Sequence, residues 1–206
     1  MRDQNQRGGP GFNRRDFLKG SGAAVAATAI ATSDQKTEAA KATKKNVFAA
    51  KAQDVTLNVN GKDYKLKIEP RVTLLEALRN DLNFTGCKDI DDDAAVGADT
   101  VIIDGKAALA GSRLAVECQG QKITTVESLH TEQKTDEVVE GFVQHDAMQC
   151  GFCTPGFVMA TRAFLDKNPN ANLEEIQKGL GGNLCRCGTY HGITQCALEI
   201  AKKGGA

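Results

Sequence analysis

From Val55 onward apolar residues alternate with polar ones: Val55, Leu57 and Val59, then, past Asn60-Gly61, Tyr64, Leu66 and Ile68. A period of two predicts strands, and Asn-Gly between two such runs predicts a tight hairpin. Thr73 and Glu76 stand at the spacing of a capping box, and Leu74, Leu75, Leu78 and Leu82 give the helix that follows one apolar face. A second hairpin centres on Asp104-Gly105, between Val101-Ile102-Ile103 and Ala107-Ala108-Leu109, and Arg113 to Glu117 reads as one more short strand. The predicted order is strand, strand, helix, strands.

Beyond about Thr131 the period changes. Val138, Val139 and Phe142 fall on one face of a helix ending near Met148. Thr154-Pro155 reads as a cap followed by proline in the first helical position, ahead of Phe157, Val158 and Phe164. Asn172 with Glu175 opens another helix that Gly181-Gly182 stops, and a last helix runs from about Ile193 to Lys202. The expected class is α+β, with a strand-rich part over 54–131 and a helical part over 132–206. No internal repeat is present.

Charge adds a third region. The 206 residues hold 26 basic and 26 acidic side chains, a net charge of zero that argues for neither nucleic acid nor an anionic membrane surface. Ten of the basic residues, against four acidic, lie in residues 1–53, so the rest of the chain is mildly acidic. Asn13-Arg14-Arg15-Asp16-Phe17-Leu18-Lys19 precedes a weakly apolar Gly/Ala/Thr run from Gly20 to Thr32 that contains Ala29-Ile30-Ala31. The pattern looks like a twin-arginine export signal over 1–31 with a small-residue cleavage site. A membrane anchor would need roughly 20 apolar residues, which neither this run nor any other segment supplies. Residues 32–53, rich in Ala, Lys and Thr, read as a disordered linker. Export by this route carries folded proteins and suits a cofactor inserted in the cytoplasm, so the predicted destination is the periplasm.

The chemistry concentrates in four of seven cysteines, Cys150-Gly-Phe-Cys153 and Cys185-Arg-Cys187. Such short spacings aim two sulfurs at one spot from a turn or helix end, and soft thiolates select iron-sulfur clusters, zinc or copper(I). Structural zinc and a pair of periplasmic disulfides are the competing readings. Cys-x-Cys is awkward to bridge internally, which weighs against disulfides.

The wording around these pairs goes further. Gln149-Cys150-Gly151-Phe152-Cys153-Thr154-Pro155-Gly156 and Gly182-Asn183-Leu184-Cys185-Arg186-Cys187-Gly188-Thr189-Tyr190 closely resemble the small iron-sulfur subunit of the molybdenum hydroxylases, the family of xanthine dehydrogenase and aldehyde oxidoreductase. The resemblance covers nearly everything from Val55 to the C-terminus. It implies an N-terminal β-grasp, plant-type ferredoxin-like domain followed by an all-α four-helix 2Fe-2S-binding domain. It also implies that Cys150, Cys153, Cys185 and Cys187 are the ligands of a 2Fe-2S cluster, and that Gln149 and Cys187 lie near the molybdopterin of a large partner subunit.

The family's ferredoxin half carries a second set of cysteines, in a loop framed here by Thr85-Gly86, Gly97-Ala98 and Thr100. In that register the four ligand positions fall on Asp91, Val96, Asp99 and Gly111, while Cys87 takes a threonine position. Valine offers no donor atom and glycine no side chain, so only one cluster is expected. Cys118, placed on the following strand, and Cys196, placed in the last helix, do not repair the loss. Asp89, Asp91, Asp92, Asp93 and Asp99 offer hard oxygens for Ca²⁺, though without the spacing or glycine of a calcium loop.

The resemblance thus implies electron transfer from a molybdopterin centre through one cluster. With the second relay station gone, the expected acceptor is a c-type cytochrome rather than a FAD subunit in its usual place. His130, His145 and His191 are scattered and no nucleophile with a base is recognisable, so no catalytic centre is expected in this chain. The rival reading is a non-redox scaffold or maturation protein with a structural metal.

Overall fold

In the computed structural model, which describes Phe48, residues 50–90 and residues 95–204, the alternation at Val55, Leu57 and Val59 becomes strand β1 (Gln53–Val59), with those three side chains buried. Strand β2 (Lys62–Ile68) pairs with it antiparallel, Val59 opposite Lys62. Asn60 and Gly61 between them are both left-handed (φ 53° and 79°), the turn whose twist matches that of the strands. Asp104 and Gly105 (φ 48° and 75°) fold β3 (Thr100–Ile103) onto β4 (Lys106–Leu109) in the same way.

A three-residue strand, β5 (Lys122–Thr124), lies parallel to β1 and antiparallel to β3, giving one mixed sheet of order β2-β1-β5-β3-β4. Arg113 to Glu117, expected as a strand, is not one. Its backbone serves the start of the first helix instead: the Arg113 carbonyl accepts the N–H of Leu74 (2.7 Å) and the Ala115 N–H donates to Val72 (3.0 Å). The chain then closes into a 3-10 turn, Ala115–Cys118, so Cys118 sits in that turn rather than on a strand.

Helix α1 opens on the predicted capping box, Thr73 and Glu76 each accepting the other's backbone N–H. It begins as an α-turn, Leu74–Glu76, and continues as a wider segment, Ala77–Asp81, where Leu82 N–H reaches back five residues to Ala77 (3.1 Å). Leu74 and Leu78 join Val55, Leu57, Val59, Val101, Ile103 and Ile123 in one core. Phe48, assigned to the linker by composition, packs partly against it.

The second core belongs to four helices: α2 (Glu137–Gln144), α3 (Thr154–Leu165), α4 (Leu173–Gly179) and α5 (Tyr190–Gly204). Asp136 caps α2, and Asn172 with Glu175 forms the predicted capping box of α4. Helix α2 stops at Gln144 rather than near Met148, and α5 starts three residues before Ile193. Helix α3 is capped by Cys153, with Thr154 already helical and its buried hydroxyl without a hydrogen-bond partner. Strand β3 is buried on both faces: Val101 and Ile103 point into the first core, while Ile102 packs on Met159 and Ala163 of α3. The fold is therefore α+β, and Phe48–Ala206 forms one compact unit. The export signal and most of the linker lie outside the described residues, among which no helix is long and apolar enough to cross a membrane.

Candidate metal centre

Two loops carry the predicted ligands. Cys150 lies between α2 and α3, Cys153 caps α3, and Cys185 and Cys187 lie between α4 and α5. Folding brings the loops together so that Cys153 and Cys185, and likewise Cys150 and Cys187, bear on each other's protonation. The pairs also lie close enough to feel each other's charge.

The environment differs from sulfur to sulfur. Burial, followed by the hydrogen bond to Cys185 and the charges of Cys185 and Cys150, pushes the Cys153 thiol up to about 12. Burial acts the same way on Cys185, but the hydroxyl and backbone of Thr189 outweigh it and, helped by Cys153 and the Cys187 backbone, bring it down to about 7. The Thr189 hydroxyl stands 3.1 Å from the Cys185 sulfur. A second local partner is Tyr190, whose hydroxyl accepts the Cys185 N–H (2.7 Å) and whose ring meets Phe157 edge-on at 5.9 Å.

A cavity of about 450 Å³ opens beside Cys150, Cys153 and Cys185, walled by Ile90, Val96, Phe152, Leu184 and Tyr190 among others. Ile90, Phe152, Leu184, Tyr190 and nearby Met148 are all exposed, and so are Gln149 and Cys187. Among the described residues no three His, Cys, Asp or Glu side chains converge on a point that would hold a single ion. Sulfurs gathered in two pairs instead match a cluster of two irons with two thiolates each, so the donor set fits the group the motifs imply.

The remaining candidates lie elsewhere. Cys87, Cys118 and Cys196 are buried singly. Of the acidic run, Asp91, Asp92 and Asp93 fall outside the described residues, while Asp99 is only 3% exposed and its carboxylate accepts the N–H of Gly111 at 2.6 Å. His145 bonds Glu199 (2.6 Å) and His130 bonds Thr135 (2.9 Å). Thr189 and Asn183 lie within the second of the two cysteine motifs, yet nothing in the spacing marks either as a partner in the site.

Comparison with known proteins agrees with this geometry. Residues 125–198 match the 2Fe-2S binding domain family, and residues 11–31 match the twin-arginine translocation pathway signal sequence. The chain is 38% identical over 156 residues to the nicotine 6-hydroxylase small subunit of Paenarthrobacter nicotinovorans, covering 74% of this chain and 94% of that one. It is 36% identical over 205 residues to the aldehyde oxidoreductase iron-sulfur-binding subunit PaoA of Escherichia coli K12, covering 92% and 88%. Among solved structures, quinoline 2-oxidoreductase from Pseudomonas putida 86 superposes with a TM-score of 0.71 at 33% identity, over 75% of this chain and 97% of that chain. The fold and paired cysteines define an iron-sulfur protein. The chain belongs to the family of small iron-sulfur subunits of xanthine dehydrogenase and aldehyde oxidoreductase enzymes.

Proposed function

We propose that this chain is the electron-transfer subunit of a periplasmic molybdenum hydroxylase that oxidises an aldehyde or an N-heterocycle. Cys150, Cys153, Cys185 and Cys187 would hold one 2Fe-2S cluster, which would supply the route for electrons from the molybdopterin of a large partner subunit. When bound, the cluster takes up and releases one electron at a time. The observation that carries the reading is the meeting of two cysteine loops as two sulfur pairs, Cys153 with Cys185 and Cys150 with Cys187.

The chain's own residues supply holding, shielding and contact. Thr189 and Tyr190 orient Cys185 through its sulfur and its N–H. Gln149 and Cys187 are the groups this reading sets against the pterin, supported by their exposure, and the exposed apolar side chains of Met148, Phe152 and Leu184 suit a face covered by the large subunit. The strand-rich half, with α1 packed on its mixed sheet, serves as a β-grasp domain of plant-ferredoxin type without a cluster, and the four helices serve as the cluster domain. The twin-arginine signal supports the periplasmic location. There a c-type cytochrome is the acceptor this reading favours over a FAD subunit.

Rapid-freeze electron paramagnetic resonance on the native complex tests the proposal. Mixing with an oxidisable aldehyde or N-heterocycle is expected to produce one cluster signal before any cytochrome is reduced. A cluster that never responds to substrate would support a scaffold instead.

A further inference from the structure

Val96 and Gly97 belong to the loop whose ligand positions are lost, yet their backbone sits between the two cysteine-bearing segments. The Val96 carbonyl accepts the N–H of Leu184 (3.0 Å), and the Gly97 carbonyl accepts the side-chain amide N–H of Asn183 (2.8 Å). Asn183 and Leu184 immediately precede Cys185. Asn183 is buried, and its amide also donates to the Thr100 hydroxyl (3.2 Å), so both partners come from the strand-rich half.

On its other side the same loop touches α3. A Cβ placed on Gly156 would come within 2.2 Å of the Gly97 carbonyl, and Gly156 lies in the first turn of α3, three residues after Cys153. Gly97 itself has φ 72°, and a Cβ there would meet the Asn183 amide nitrogen at 2.7 Å. Only glycine at both places allows the approach. The half-buried Val96 lines the same cavity as Cys150, Cys153 and Cys185.

We infer that Val96, Gly97 and Asn183 are positioning residues that register one cysteine pair against the other, with Val96 forming part of the wall beside the cluster. This rests on the cluster assignment proposed above. The loop that gave up its own ligands now serves the neighbouring site. A cluster held by four thiolates is negatively charged, and the electron it gains makes it more so. A negative charge on the wall therefore disfavours reduction, whereas a positive charge or added water favours it.

The test uses the full chain purified anaerobically, unaltered and as Val96→Asp, Val96→Lys and Val96→Ala, each titrated with dithionite as the one-electron donor and followed by electron paramagnetic resonance. Val96→Asp is expected to move the midpoint potential to more negative values and Val96→Lys to less negative ones, at equal iron content. Should a charged variant fail to load iron, Val96→Ala, which thins the wall, is expected to make the potential less negative. Asn183→Ala is expected to release iron to a chelator at least roughly tenfold faster, the order set by losing a buried hydrogen bond, and to alter the shape of the signal. Unmoved potentials in loaded Val96 variants, or an Asn183→Ala protein with unaltered signal and chelation rate, would overturn the inference. An unaltered protein without a cluster would overturn the assignment beneath it, a result read on a different sample.

Discussion

The Asp99 carboxylate accepts the backbone N–H of Gly111 at 2.6 Å, joining directly two residues that the resemblance would set at ligand positions of a ferredoxin loop. A second bond, Ala110 N–H to the Asp99 carbonyl (3.3 Å), runs alongside. The carboxylate thus ties the loop to the end of the β3–β4 hairpin. Asp99 is 3% exposed and Gly111 half-buried, so losing the carboxylate takes its partner from the Gly111 N–H in a largely shielded place. Asp99→Ala is predicted to cost about 2 kcal/mol in urea unfolding while iron per chain stays unchanged. Loss of iron with the substitution would mean that the loop itself holds metal.

Arg162 joins α2 to α3. Its guanidinium, 18% exposed, pairs with Glu137 at 2.8 Å, Asp166 at 2.7 Å and Asp136 at 3.7 Å. Burial works against its charge, but Glu137 and the aspartates overcome this and raise its affinity for the proton. Since two of the carboxylates are half exposed, solvent screens part of the gain, and Arg162→Ala is predicted to destabilise the fold by about 1 kcal/mol. Raising the salt concentration is expected to shrink the difference in denaturation midpoint.

Cys87 and Cys196 respond to pH in a direction the fold dictates. Burial, then nearby carboxylates, pushes both thiols from 9.0 up to about 12. A raised value in the folded state favours the protonated thiol, so this contribution to stability is present below about pH 9 and is lost as pH rises towards 12. Iodoacetamide at pH 8 is therefore predicted to leave both unmodified in the native protein and to modify them in urea. Native modification of Cys87 would show that the loop opens on that timescale.

Much of this was legible in the sequence wherever structure is decided locally. Asn60-Gly61 and Asp104-Gly105 determine their turns through their own backbone preferences, and Thr73/Glu76 and Asn172/Glu175 form capping boxes within four residues. Non-local bonds account for what was missed. Arg113 to Glu117 has the pattern of a strand, but its backbone is claimed by Val72 and Leu74. Lys122–Thr124 is too short to display a period, yet it is the strand that joins β1 to β3. In the site, the cysteines announced themselves by spacing, while Asn183 acts on Gly97 across 86 positions and no local pattern reports that.

The pair Arg14-Arg15 lies inside the segment that matches twin-arginine signals, and the proposed export is predicted to need it. Replacing both by lysine keeps the charge and removes the guanidinium groups. Cell fractionation is predicted to find the altered protein in the cytoplasm, and unimpaired export would contradict the periplasmic assignment.

Iron and acid-labile sulfide per chain, measured on anaerobically purified protein and followed by electron paramagnetic resonance after dithionite reduction, decide whether the chain carries a single 2Fe-2S centre. About two irons and two sulfides with a single signal are expected, as a lone 2Fe-2S centre requires, abolished by Cys153→Ser or Cys185→Ser and kept in Cys196→Ala. Four irons with two signals would contradict that expectation by showing that the strand-rich half still holds a cluster, and a well-folded chain without iron would contradict it by leaving only a scaffold.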